Sequence, residues 1–214
     1  MDLEDELGVA LDRLAVDGLV AFPSETVWGL GARAISPDAV AKLRAWKGRS
    51  EARPISLLVD GFAALEGCGF APSPLARTLM EQFWPGPVTF VLLPEEGGFA
   101  AGIAREDGAV GLRCSAHPAA ASLARGARER GLGPITATSL NPSGSPAART
   151  RDEAQALADL CEGKGDLLCF APGGCDAGGE APSSVIDLTG PEPRILRPGP
   201  RDREILAAAG RAAE

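Results

Sequence analysis

The chain has 214 residues, 45% of them hydrophobic, enough to bury a substantial core in one domain or in two small ones. Its formal charge of −8 argues against a broad electrostatic grip on nucleic acid, while leaving room for a local basic pocket. No apolar run approaches the roughly 18 residues of a membrane span, and the acidic start MDLEDELG lacks the layout of a secretory signal, so a cytoplasmic protein with no membrane contact is expected.

In chain order, Leu3, Leu7, Leu11 and Leu14 recur at helical spacing and predict a helix over 3–16. LVAF (19–22) reads as a short strand. It runs into PSETVWGLG (23–31), where Pro23 and the glycines read as breakers of regular structure. Trp28 in that loop reads as a packing anchor rather than a ring facing a site. Ser36 as N-cap and Pro37 at the first helical position open a helix to about Trp46. Strands are expected at 55–59, 88–93, 109–114 and 134–138, and helices near 73–83 and 118–130. Thr150-Arg151-Asp152-Glu153 is a capping box for a helix to about Glu162. LLCF, SSVIDL and RILR read as late strands before a closing helix, REILAAAGRAA.

Interleaved helices and strands predict an α/β fold. Because 183–197 holds consecutive strands, a mixed parallel and antiparallel sheet flanked by helices fits better than a regular doubly wound one. No repeat or long linker divides the chain, so residues 1–214 are expected to form a single twisted domain. GGFAAG (97–102) and GGCDAGG (173–179) read as mobile loops.

The five cysteines, Cys68, Cys114, Cys161, Cys169 and Cys175, form no C-x-x-C pair, and His117 is the only histidine. Neither a zinc site nor a disulfide framework is expected, and no protein-held metal. His117 reads as a turn residue before Pro118. No P-loop, dinucleotide fingerprint or nucleophile elbow is present.

What carries chemistry is a set of polar clusters at element ends. In a chain with only three lysines, Lys47 stands beside Arg49 and Arg53 in KGRSEARP, a point charge and planar forks suited to phosphate or carboxylate oxygens. Capping of the preceding helix dipole would explain one such cation but hardly three. In TSLNPSG, Ser139 and Asn141 face the same way if the segment stays extended, although a plain Asn-Pro turn would also explain the pattern. Arg113 ends a strand, and Ser183 and Arg197 flank two more. Together these describe an anion-binding pocket of hydroxyls and cations.

PSETVWGLGARA, KGRSEARPISLLV, WPGPVTFVL, VGLRCSAHP, ATSLNPSG and SSVIDLTGPEPRILRPG, in that order, resemble the YrdC-like threonylcarbamoyl-AMP synthase family over roughly residues 8–200. The resemblance implies one twisted α/β domain with a concave cavity. It implies an enzyme, a nucleotidyltransferase, that makes threonylcarbamoyl-AMP and pyrophosphate from L-threonine, bicarbonate and ATP, with Mg²⁺ carried by the nucleotide. A downstream transferase then passes the threonylcarbamoyl group to adenosine 37 of tRNA, and the resemblance admits a direct tRNA contact. The K-x-R…S-x-N signature falls on Lys47, Arg49, Ser139 and Asn141 as the catalytic set. ATP falls to Arg49, Arg53, Ser139, Asn141 and Arg197, and threonine to Thr26, Arg113 and Ser183.

The chain departs from the family pattern at Ser24 and Trp28, where Thr and Tyr are more usual, at Leu58, where many members carry histidine, and at Ala147, where a serine is common. These departures bear on the amino-acid pocket more than on the nucleotide chemistry. The alternative to the synthase is a YrdC-like paralogue that binds RNA in ribosome or tRNA maturation without this activity.

Overall fold

In the computed structural model, which describes residues 3–48, 53–95, 98–160, 167–179 and 181–212, helix α1 (Leu3–Ala15) buries Ala10, Leu11 and Leu14. Glu4, Asp5 and Glu6 fill its first turn, where the helix dipole favours negative charge. Strand β1 (Leu19–Phe22) follows, buried at all four positions. The loop read as a breaker of regular structure instead yields strand β2 (Gly29–Gly31), antiparallel to β1 with Phe22 opposite Gly29 and Val20 opposite Gly31. The physical reason is a close approach. A Cβ on Gly29 would lie 2.6 Å from the Phe22 ring, so the glycine admits the ring to the sheet rather than breaking it.

Helix α2 (Pro37–Lys47) starts as the sequence predicts, Ser36 Oγ accepting from Ala39 N at 3.2 Å with Pro37 at the first position. Then come β3 (Ser56–Leu58), a short α3 (Phe62–Gly67) that the periodicity does not announce, α4 (Pro74–Phe83), β4 (Val88–Leu92) and β5 (Val110–Arg113). Helix α5 (Pro118–Glu129), β6 (Ile135–Ser139), α6 (Arg151–Asp159), β7 (Leu167–Cys169), β8 (Ser184–Asp187), β9 (Arg194–Arg197) and α7 (Asp202–Ala212) complete the order. The Thr150–Glu153 capping box opens α6 reciprocally.

Among the described residues the strands form one nine-stranded sheet in the order β7-β1-β2-β6-β3-β5-β4-β8-β9. The pairs β1/β7, β3/β5 and β4/β8 are parallel and the other five antiparallel, the mixed sheet that the consecutive late strands predict. Alternation sorts side chains between two buried clusters. Leu19, Ala21, Leu57, Phe90, Leu112 and Ile186 join Leu43, Leu79, Met80 and Ile205 of α2, α4 and α7 in one. Val20, Phe22 and Leu58 join Leu11, Leu14 and Leu123 of α1 and α5 in the other. This second face is only partly roofed by helices, and the remainder forms a cavity.

The described residues of both segments read as mobile loops are hydrogen-bonded to the rest of the fold. Gly102 O accepts from Arg44 Nη2 at 2.5 Å and Ala100 N donates to Ala34 O at 2.9 Å. In the second, Gly178 N donates to Ser24 O at 2.9 Å and Gly179 N to Thr26 O at 3.1 Å. Ala34 belongs to the buried core and Ser24 and Thr26 to the cavity wall, so each loop is anchored by backbone pairing the sequence does not show.

Candidate functional site

The cavity encloses about 1120 Å³ over the open part of the sheet. Its floor is set by strand parity: Ser56 and Leu58 of β3, Thr89 and Val91 of β4, Gly111 and Arg113 of β5, and Ala137 and Ser139 of β6 all line it. Register places Leu58 and Thr89 on either side of Arg113, and Val185 of β8 beyond Thr89. Ligand pockets of drug-sized molecules run to about 1,000 Å³, and this cavity is of that size.

One corner is built from the PSET loop and the end of β5. Arg113 Nη2 donates to Thr26 Oγ1 at 2.6 Å, to Glu25 Oε1 at 3.0 Å and to Ser24 Oγ at 3.3 Å. Ser24 Oγ donates to Val27 O at 2.6 Å and accepts from Thr26 N at 3.2 Å, so the loop closes on its own hydroxyl. Ser115 Oγ donates to the second oxygen of Glu25. Burial pushes the Glu25 pKa up, but the Arg113 charge and the Ser115 hydrogen bond outweigh it and hold the carboxyl below its ordinary value. The carboxylate is therefore ionised at neutral pH. Arg113 Nε is buried with no hydrogen-bond partner among the described residues, a donor left in the wall of the cavity.

A second corner joins the end of α2 to the segment after β6. Lys47 is buried, and its Nζ donates to Asn141 O at 2.8 Å, to Asn141 Oδ1 at 3.3 Å and to Ser139 O. Ser139 Oγ donates to Asn141 Oδ1 at 2.6 Å, and Asn141 Nδ2 donates to Ser145 O at 2.6 Å. The ammonium thus crosses to another chain segment, and the residues of the K-x-R…S-x-N pattern that are described form one network. Arg53 is exposed at the cavity lip. Arg49 lies outside the described residues.

Beyond Arg113, on the side of the sheet away from Ser139, Thr89 Oγ1 and Ser183 Oγ are 2.9 Å apart. Arg197 clasps Ser183, Nη2 reaching its Oγ at 3.0 Å and its carbonyl at 2.9 Å while Nε reaches the carbonyl at 3.1 Å. Partial desolvation and the like charge of Arg113 lower the Arg197 pKa from the ordinary guanidinium value. It stays cationic, since a guanidinium is not deprotonated in proteins.

Every described residue expected at the site therefore lines one cavity: Thr26, Lys47, Arg53, Arg113, Ser139, Asn141, Ser183 and Arg197. Leu58 and Ala147, two of the departures from the family pattern, line it as well. Trp28 is fully buried in the core, as a packing anchor would be, and the residue borders the cavity. Sequence reasoning missed Thr89, Glu25 and Ser115. Thr89 was within reach, because it sits two residues before Val91 on the same face of β4. His117 is more than a turn residue: its Nδ1 accepts from Ala119 N at 3.2 Å as the N-cap of α5. Burial lowers its pKa, which keeps that nitrogen free to accept.

None of the described thiols lines the cavity. Cys114 is pushed up to about 11 by burial and by the charges of Asp60 and Glu25, and Cys169 to about 11 mainly by burial. Cys161 lies outside the described residues. Among the described residues no helix is long and apolar enough to cross a membrane.

Comparison with known proteins places the chain in context. The Sua5_yciO_yrdC family model, described as "Telomere recombination", matches residues 12–199. A Bacillus subtilis protein named threonylcarbamoyl-AMP synthase is 33% identical over 215 residues, covering 97% of this chain and 59% of its own length. A threonylcarbamoyl-AMP synthase of Pseudomonas putida is 32% identical over 192 residues, covering 89% of this chain and 95% of its own. Among solved structures, the crystal structure of P. abyssi Sua5 complexed with L-threonine matches with a TM-score of 0.79 at 33% identity, over 95% of this chain and 57% of that one.

Proposed function

Because the chain belongs to the Sua5/YciO/YrdC family, we propose that it is a threonylcarbamoyl-AMP synthase, using L-threonine, bicarbonate and ATP. The observation that carries this reading is one cavity with two differently built polar corners. The Arg113–Thr26 corner offers a guanidinium and hydroxyls sized for the carboxylate and hydroxyl of a small amino acid. The Lys47–Ser139–Asn141 corner, with Arg53 at the lip, offers the cations and hydroxyl that suit a polyphosphate, and Arg197 adds a cation from across the cavity beside Ser183.

The reaction balances as two displacements. The threonine amine attacks the carbon of CO₂ or bicarbonate and forms a carbamate, bicarbonate losing water. A carbamate oxygen then attacks the α-phosphorus of ATP, and the bond to the β-phosphate oxygen breaks to release pyrophosphate. Negative charge develops on phosphoryl oxygens, so the protein contributes by placing the two substrates together and by fixing cations near that charge. Thr26, Arg113 and Ser183 are read as the threonine side. Arg49, Arg53, Ser139, Asn141 and Arg197 are read as the ATP side, with Lys47 and Arg49 at the transferred group. Glu25 is not placed as a base, since both of its oxygens already accept hydrogen bonds.

Mg²⁺ is read as entering on the nucleotide phosphates. Among the described residues no group of three or more His, Cys, Asp and Glu side chains could hold a metal ion, and the cavity donors suit phosphate oxygens instead. The nine-stranded sheet, to which strands from both ends of the chain contribute, supports reading 1–214 as one domain. A transferase that passes the threonylcarbamoyl group to tRNA adenosine 37 is the consumer of the product, and the cytoplasm its compartment. At a net charge of −8, tRNA contact is assigned to that transferase rather than to this chain. The test is pyrophosphate release from ATP by the purified chain. The reading requires dependence on both L-threonine and bicarbonate; release independent of threonine would contradict it.

A further inference from the structure

We propose that Glu25, with Ser115 behind it, is a positioning residue that sets Arg113 for the amino-acid substrate, an inference that rests on the synthase reading of the cavity. Ser24, Thr26 and Arg113 line the cavity, but Glu25 and Ser115 do not; they stand behind its wall. Glu25 ties two directions together, one oxygen accepting from Arg113 Nη2 at 3.0 Å and the other from Ser115 Oγ. Ser115 is buried at 2% exposure and accepts in turn from His117 N at 3.2 Å, where α5 begins. The brace therefore runs from the start of a helix to the guanidinium.

The other side of the loop is held by the glycine strap. Gly178 N and Gly179 N pair with the carbonyls of Ser24 and Thr26, the residues on either side of Glu25. A Cβ on Gly179 would lie 2.5 Å from Glu25 O, so this contact needs glycine. With its backbone clamped by the strap and its carboxylate by Ser115, Glu25 has one place to point. Arg113 is long and rotamer-rich. A fixed, ionised partner orders it before substrate arrives, which lowers the cost of binding. Glu25 touches no reacting atom in this scheme and acts through Arg113.

The test uses the full chain as Glu25→Ala, Glu25→Gln and Ser115→Ala, each checked for folding by circular dichroism. Steady-state pyrophosphate release is expected to show the threonine KM raised about tenfold in Glu25→Ala, from lost preorganisation. The ATP KM should stay within about twofold, as the two corners are built from separate hydrogen bonds. Glu25→Gln should recover part of the loss, because its amide oxygen still accepts from Arg113. Ser115→Ala should shift the threonine KM in the same direction by less and serves if Glu25→Ala does not fold. A second readout needs no turnover: reaction of Arg113 with phenylglyoxal, followed by peptide mapping, should be faster in Glu25→Ala and Ser115→Ala. Unchanged Arg113 reactivity, or threonine and ATP KM rising together, overturns the proposal. Absence of threonine-dependent pyrophosphate release in the unaltered chain overturns the synthase reading instead, while the Arg113 reactivity still judges the brace.

Discussion

The two polar corners of the cavity each hold a cation, but by different means. Arg113 is held by an ionised carboxylate and two hydroxyls from a loop, side chain against side chain. Lys47 is held by the carbonyls of Ser139 and Asn141 and by an amide oxygen, at a bend where β6 ends. The first arrangement contains a carboxylate partner and depends on it; the acceptors named for the second are carbonyl and amide oxygens. The first corner is therefore sensitive to protonation of Glu25, while the second depends on the backbone position of Ser139 and Asn141.

The largest expected effect comes from breaking the Lys47 corner. Lys47→Ala should cut threonine-dependent pyrophosphate release by on the order of 10²-fold or more, as for loss of a fixed charge at a developing anion. Initial-rate assays at saturating substrates would show it, and calorimetric ATP titration would separate binding from turnover. Breaking the other corner through Arg113→Ala should weaken threonine rather than ATP. It should also destabilise the fold by about 2 kcal/mol, because the part-buried Glu25 carboxylate loses its charged partner and Thr26 its donor. Thermal denaturation measures this, and a Tm unchanged from the unaltered protein would contradict the pairing.

How much of this was legible in the sequence differs between the same two corners. Lys47 stood out because a lysine is rare in this chain, and Ser139 and Asn141 because they share a face after a strand, although an Asn-Pro turn alone would also explain them. The Glu25–Ser115 contact spans 90 positions in the chain, and neither residue type is unusual for a loop, so no local signal marks it. The same holds for β2. Its glycines look like turn residues until the Phe22 ring is seen to occupy the space that a side chain would need. Helix α2, the α6 capping box and the alternating strands were readable because capping and periodicity are local rules. The cavity followed from strand register, which is not local.

Acid should separate the corners further. The Glu25 carboxyl is held below its ordinary value, so the folded pKa is depressed and the pairing is fully present above the unfolded value near 4.5. It is lost only as pH falls through the lower folded pKa. Threonine binding measured by calorimetry should therefore persist through the ordinary carboxylate range and weaken below it, with ATP binding changing less. A smaller effect belongs to the Thr89–Ser183–Arg197 group beyond Arg113. Ser183→Ala removes the hydroxyl shared by Thr89 and Arg197 and should cost about 1 kcal/mol of stability, read from urea denaturation. Smallest of all is alkylation at pH 7. With Cys114 and Cys169 pushed up to about 11, iodoacetamide should leave both largely unmodified in the native protein by mass mapping.

Equilibrium titration of L-threonine and of ATP, separately, into Arg113→Ala and Lys47→Ala tests the division of the cavity most directly. Arg113→Ala should lose threonine binding and retain ATP, and Lys47→Ala should weaken ATP and retain threonine. Loss of both ligands in either folded variant, or the reverse pattern, would contradict the assignment of one corner to each substrate.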